Sequence, residues 1–176
     1  MNQKQYNREY QRLASDFHSG NDYLDYFLRN EISLDDNYGK TYVMLDDKEQ
    51  KIIGYYNLGL GSVEMDEAGE KRKIGGAIHI NELALDRKYH KMRYAVMQNG
   101  EQVNVSDVLL NYCLEKVEEV RRGHVGFSFV TLSSTEAGYR LYKRNGFEDL
   151  DEEMSFSIEY TEEKCRPMYL PIGLSM

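Results

Sequence analysis

Apolar residues first recur with helical spacing at Leu24, Phe27, Leu28 and Ile32. They predict an amphipathic helix over Asp22–Leu34, with Asn21 as its cap. Two β-rich runs follow, Thr41–Leu45 (TYVML) and Ile52–Leu58 (IIGYYNL), around the polar stretch DDKEQ, and they predict a hairpin. The stretch Ala77–Leu85 (AIHINELAL) carries Ile78 and Ile80 at even positions but Leu83 and Leu85 at odd ones. A strand of strict period two cannot present all four on one face. One extra residue near Asn81–Glu82 repairs the register and predicts a β-bulge; a strand buried on both faces is the alternative. A helix over Ser106–Arg121 turns Leu109, Leu110, Cys113, Leu114, Val117 and Val120 inward. Asn104 or Ser106 caps it, and Arg121, Arg122 and Gly123 close it with the charge and stop that a helix end favours. Val125–Leu132 (VGFSFVTL) reads as a buried strand. Because a helix joins it to Ala77–Leu85, the two strands are expected to run parallel. A short helix over Thr135–Asn145 stops at Asn145-Gly146, and strands around Met154–Tyr160 and Pro167–Leu170 complete an α/β (α+β) domain with a mixed sheet.

The connection between Leu85 and the following helix is the anomaly. Strand-to-helix loops usually take a few residues, and a long one inside a compact domain tends to be functional. This one contains RKYHKMR, Arg87–Arg93, with four cationic residues in seven and His90 among them. A bulged strand feeding a helix N-terminus leaves unpaired N–H groups at the positive end of a dipole, which suits phosphate. The basic run adds to that preference; a solvated loop is the plainer alternative.

Composition narrows the picture. A chain of 176 residues without repeats or a Pro/Gly/Ser-rich linker suits one domain, residues 1–176, with a full core. No apolar run is long enough to span a membrane, and MNQKQYNREYQRL lacks the apolar centre of a signal peptide, so no membrane partner and a cytoplasmic location are expected. Cys113 and Cys165 are too few for a disulfide framework or a zinc site; Cys113 is expected as a reduced core thiol, and no metal is expected. A net charge of −8 argues against a general nucleic-acid binder. Glu148–Glu163 holds eight acidic residues and no Lys or Arg. It reads either as a solvated strand edge or as an attraction for a cationic acceptor. His18 and His124 lack a chemical context and are expected to be structural or exposed.

The segments LALDRKY, VLLNYCLEKV and STEAGYRLYKRNGF together resemble the GCN5-related N-acetyltransferases, and GNDYLDYFLRN with TYVMLDDKEQKIIGYYNL is similar to that family's first helix and hairpin. The resemblance spans about residues 20–150 and is most specific in Gly138–Phe147, GYRLYKRNGF. It implies a single-domain fold whose mixed sheet has a bulged strand and a parallel, splayed strand pair flanked by helices. It implies acetyl-CoA as acyl donor and a small-molecule or peptide amine as acceptor. Leu83, Ala84 and Leu85 match the strand whose backbone pairs with the pantetheine arm, while Ser106 and Asp107 fall at the helix start that faces the pyrophosphate. Tyr142 matches the tyrosine near the CoA sulfur, and a phenol of pKa about 10 can protonate a leaving thiolate. Glu82 and His79 are the candidate bases for the amine; each also has a plain reading, as a solvent-facing strand residue and as a hydrogen-bonded sheet histidine. Tyr55 and Tyr56 either line the acceptor cavity or pack in the sheet. The family's Q/R-x-x-G-x-G/A loop is absent. Residues 86–105 stand in its place as an expected basic flap, which either sets side chains such as Lys91 and Arg93 against the phosphates or covers the acceptor side. An aminoacyl-tRNA-acetylating relative and a non-catalytic acyl-CoA-binding module are the rival readings, and a homodimer is left open.

Overall fold

The computed structural model describes residues 1–98, 100, 102–156 and 165–173. The chain divides into two compact units, Met1–Leu58 with Glu82–Glu115, and Gly59–Asn81 with Lys116–Met176.

In the first unit, strand β1 (Asn2–Gln5) pairs antiparallel with β2 (Lys40–Leu45), and β2 pairs with the start of β3 (Ile52–Glu67) in the register Lys40↔Leu58 to Leu45↔Ile52. The expected hairpin is present. Its DDKEQ turn is closed by the Asp46 carboxylate, which accepts from the N–H groups of Gln50 (2.7 Å) and Lys51 (3.0 Å). Helix α1 (Arg8–Gln11) is a single turn capped by Asn7. Helix α2 (Asp22–Arg29) begins where the pattern placed it, with the Asn21 side chain accepting from Tyr23 and Leu24 N–H. It ends five residues early, however. Asn30 adopts extended backbone, and its own side chain caps a 3-10 turn over Glu31–Leu34. A short amide side chain competes with the helix for backbone groups, so Asn30 breaks the run while Ile32 still packs inward.

The core beneath α2 gathers Phe17, Phe27, Leu28, Val43, Leu45, Tyr55 and Ala84. The Tyr55 ring meets Phe17 edge-on at 5.6 Å and stacks on Phe27 at 6.0 Å. Its hydroxyl donates to the Leu24 carbonyl at 2.8 Å, and the Tyr6 hydroxyl donates to Leu28 O at 2.8 Å. Buried phenols that find partners in this way offset the cost of leaving water with a hydrogen bond. On the other face lies the first half of helix α3 (Val105–Gly123), with Val105, Leu109, Leu110 and Cys113 buried. Gly54 permits that approach: a Cβ there would lie 2.8 Å from Leu109 Cδ2 and 2.9 Å from the Ala84 carbonyl oxygen.

Strand β4 (Glu70–Leu85) is longer than its apolar stretch, because a tight turn at Ala68 (φ 57°) and Gly69 (φ 89°) joins it to β3. In the second unit its residues Ala77–Ile80 pair parallel with Phe129–Leu132 of β7 (Phe129–Ser134), as the helical connection requires. β7 starts four residues later than the apolar run suggested. Ala77, Ile78, His79 and Ile80 are all buried, so this stretch is covered on both faces, and the parity change falls beyond it. The β4–β7 ladder runs from Ala77 to Ile80, and the next residue, Asn81, is exposed. Helix α4 (Tyr139–Arg144) ends as expected at Asn145 and Gly146, the latter at φ 88°. β8 (Glu148–Asp149), β9 (Met154–Phe156) and β10 (Arg166–Pro171) follow; the remainder of the expected Met154–Tyr160 strand lies outside the described residues. The sheet order β1-β2-β3-β4-β7-β10-β8, with β9 on β3, makes a mixed sheet whose parallel pair is β4–β7.

His79 forms part of the second unit's core. It is 5% exposed, its Nδ1 lies 2.8 Å from Thr131 Oγ1, and its ring meets Phe156 edge-on at 5.8 Å. Burial pulls its pKa from 6.5 to about 4.

Two outcomes are expected. Gly54→Ala lowers the stability of the fold by roughly 1–3 kcal/mol, read as a lower urea midpoint, because backbone at Ala84 has to move. His79 stays neutral in the fold down to about pH 4, whereas the unfolded chain takes up that proton near 6.5. The unfolded state therefore binds more protons in this window, and acidification removes roughly 3 kcal/mol of stability there. Urea titrations at a series of pH values should show that loss in the wild type and a flatter profile in His79→Gln.

Candidate functional site

Eight of the ten residues singled out from the sequence fall in the first unit: Glu82–Leu85 at the end of β4, Ser106 and Asp107 at the start of α3, and Lys91 and Arg93 in the segment between them. Ala84 is buried in the cluster around Tyr55. By the two-residue period of a strand, Glu82 shares its face. Glu82 is half-buried, and the Tyr23 hydroxyl donates to its Oε1 at 2.8 Å. Leu83 is half-buried and Leu85 buried. The Leu85 carbonyl lies 2.9 Å from His90 Nε2, so that nitrogen carries a proton. His90 thus closes the strand end from within the basic run.

The segment after Leu85 is not a loose loop. Asp86, 2% exposed, accepts from the N–H groups of His18 (3.1 Å) and Lys88 (2.9 Å) and starts a 3-10 turn over Arg87–Tyr89. Lys91 then takes a left-handed φ of 57° and redirects the chain into a two-stranded ribbon, β5 (Arg93–Val96) with β6 (Gln102–Asn104). The expected flap is a β-ribbon. Gly100, at φ 84°, serves its tip. Lys91 and Arg93 are both exposed, and Arg93 stands opposite Asn104 in the ribbon register. That register sets a guanidinium-bearing residue beside the start of α3.

The helix start itself is partly occupied by the chain. The Val105 N–H donates to Met92 O at 2.9 Å, and the Asn104 N–H donates to Asp107 Oδ2 at 2.9 Å. Asp107, 8% exposed, therefore acts as the reciprocal half of a capping box. A carboxylate there stabilises the helix and opposes a phosphate at the same end. Of the two helix-start candidates, half-buried Ser106 is the one whose chemistry suits an anion.

His79 and Tyr142 belong to the second unit. His79 is the hydrogen-bonded sheet histidine described above. Tyr142 sits in the second half of α4, 8% exposed, with its ring edge-on to Phe147 at 5.6 Å. Its carbonyl accepts from the N–H groups of Asn145 (3.0 Å) and Phe147 (3.1 Å). A Cβ at Gly138 would stand 3.1 Å from the Tyr142 ring. Thus Gly138, one helical turn back, makes room for the ring, and Phe147 braces it. This is the local reason that GYRLYKRNGF works as a unit.

Of the two readings for Tyr55 and Tyr56, the described residues show packing in the sheet. Both are fully buried, Tyr55 in the α2 core and Tyr56 stacked on Tyr42 at 5.3 Å with its hydroxyl 3.3 Å from Tyr112 O, so sheet packing is their role. His18 is half-exposed beside Asp25 and Arg29, and His124 is exposed. In the acidic stretch, Asp149 accepts from Tyr139 and Lys143, while residues 157–164 lie outside the described part. Cys113 is a buried free thiol whose pKa burial pushes up. Among the described residues no group of three or more His, Cys, Asp or Glu is placed to hold a metal, and no helix is long and apolar enough to cross a membrane. The residue that sequence reasoning missed is Tyr23. Helical periodicity puts it on the polar face of α2, and nothing local signals a partner on a strand 59 positions away.

No protein-family model matches the chain, and no curated protein matches it in sequence. Solved structures match it in fold. A bacterial toxin superposes with a TM-score of 0.69 at 20% identity, over 97% of this chain and 90% of the other. AtaT complexed with acetyl-methionyl-tRNAfMet gives 0.66 at 17% identity, over 97% and 94%. An acetyltransferase from Streptococcus agalactiae gives 0.59 at 14% identity, over 97% and 98%. The parallel β4–β7 pair, its flanking helices and these superpositions agree: the chain has the fold of the GCN5-related N-acetyltransferases.

Proposed function

We propose that the protein is an acetyl-CoA-dependent N-acetyltransferase acting on a primary amine. The observation that carries this reading is the packing of Tyr142 between Gly138 and Phe147, within a fold shared with acetyltransferases. A phenol held in one orientation is a better proton donor than one free to rotate. Acetyl-CoA supplies the activated acetyl group as a thioester. The backbone of Leu83–Leu85 is assigned to the pantetheine arm, and Lys91, Arg93 and Ser106 to the phosphates. Glu82 is assigned the amine end: a lysine-like amine is only on the order of 0.1% neutral at pH 7, so a carboxylate that accepts its proton, directly or through water, raises the reactive fraction. As the amine nitrogen bonds to the acetyl carbon and the carbon–sulfur bond breaks, Tyr142 gives its proton to the departing thiolate. His79 is left out of this scheme. An imidazole with a pKa near 4 is a weak acceptor for an ammonium proton, and its ring is held by Thr131.

A second reading is favoured by one comparison, that with AtaT bound to acetyl-methionyl-tRNAfMet: the acceptor amine is then carried on an aminoacyl-tRNA. The net charge of −8 weighs against it, because affinity for RNA rests on clustered cations.

Thiol release from acetyl-CoA, screened against an amine panel, tests the first reading. Turnover is expected in the wild type, with kcat lowered roughly 10²-fold or more in Tyr142→Phe. Equal rates in the two proteins remove Tyr142 from the mechanism, and calorimetry showing no heat at millimolar acetyl-CoA removes the enzyme. Growth arrest on expression, abolished by Tyr142→Phe, selects the tRNA acceptor. Shortening the ribbon by deleting Tyr94–Gln102 is expected to weaken acetyl-CoA binding in the same calorimetric assay; unchanged affinity assigns the phosphates elsewhere.

A further inference from the structure

Tyr23 is 55% exposed on the outer side of α2, where a tyrosine contributes little to a core. Its phenol nevertheless donates to the half-buried Glu82 carboxylate at 2.8 Å, across 59 residues of sequence. The donor is held from both ends. Asn21 fixes the Tyr23 backbone by accepting its N–H at 3.0 Å, and the buried hydroxyls of Tyr55 and Tyr6 tie the α2 carbonyls of Leu24 and Leu28 to the sheet. The phenol therefore reaches Glu82 from a helix whose place is set by buried bonds.

We propose that Tyr23 is a positioning residue for Glu82, fixing the carboxylate that receives the acceptor's proton; this rests on the acetyltransferase reading above. A hydrogen bond from a neutral donor to a carboxylate is charge-assisted and directional, so it selects one rotamer of a side chain that otherwise has several. With Oε1 held by the phenol, the direction in which the carboxylate meets an incoming amine is set before the amine arrives. Such pre-orientation acts on the rate of the chemical step and leaves the binding of the acyl donor untouched. Glu82 also acts electrostatically on Tyr55 of β3: burial raises the Tyr55 pKa most, and the Glu82 carboxylate adds to it, as does Asp25 on α2. Asp25 is itself engaged by the N–H (2.7 Å) and hydroxyl (2.6 Å) of Ser19.

A double-mutant cycle over Tyr23→Phe and Glu82→Gln, with an amine that the wild type acetylates, tests the proposal. Tyr23→Phe keeps the exposed ring, and its thermal melt is expected to match the wild type. The expected kinetics are a fall of about tenfold in kcat for Tyr23→Phe with the KM for acetyl-CoA unchanged, the scale of one charge-assisted hydrogen bond. The double variant is expected to be no slower than Glu82→Gln alone. If Glu82→Gln is slow and Tyr23→Phe runs at the wild-type rate, the positioning role is overturned while the acetyltransferase reading stands. Losses that multiply in the double variant also overturn it, because Tyr23 then acts independently of Glu82. Glu82→Gln at the wild-type rate instead overturns the assignment of Glu82. Absence of wild-type turnover across the amine panel overturns the enzyme reading on which both depend.

Discussion

The phenol of Tyr55 decides where α2 lies on its sheet. Wedged between Phe17 and Phe27, the ring brings a polar group into an apolar layer, and the only stable arrangement gives that group a partner. The partner is the Leu24 carbonyl. Burial raises the Tyr55 pKa well above its ordinary value, so the hydroxyl stays a donor at any physiological pH. With Leu24 fixed on the helix axis, Tyr23 one residue earlier has a fixed reach, and the strand position it meets is Glu82. An aromatic core contact thus determines the geometry of a charged group at the surface.

The start of α3 shows a different economy of backbone groups. A glycine-rich loop leaves its amides open to a ligand; here the chain has filled part of that space with its own acceptors, Met92 O and the Asp107 carboxylate. The cationic side chains near it, Lys91 and Arg93, would offer an anion charge of a different kind. Backbone amides are fixed dipoles, whereas Lys91 and Arg93 are exposed, so an anion held by them would be bound through attraction that salt weakens.

Much of this was legible in the sequence because it follows from periodicity and caps. Asn21 opens α2, Gly146 ends α4, DDKEQ turns the first hairpin, and the parallel pairing of β4 with β7 follows from the helix between them. What escaped lacks a hydrophobic signature. β1 reads NQKQ, a polar edge strand that alternation cannot reveal. The β5–β6 ribbon is mostly exposed, so neither of its strands shows an apolar face. Asn30 interrupted a run of correct helical spacing, because the apolar stripe continues through a 3-10 turn that periodicity does not distinguish. The candidate site divides along the same line. Tyr142 was singled out through the motif GYRLYKRNGF, whose Gly138 and Phe147 pack on its ring, whereas the contact of Tyr23 with Glu82 depends on tertiary placement alone.

The joint at Lys91 has a consequence for the ribbon it introduces. A left-handed φ on a residue with a side chain costs about 1–2 kcal/mol, which glycine would avoid. Glycine, however, samples both hands of the backbone, and a ribbon hung from it would sweep a wide cone of directions. Lys91 gives up conformational ease for aim: the strained residue narrows the orientations of β5, and the bond from Val105 to Met92 latches the one that remains.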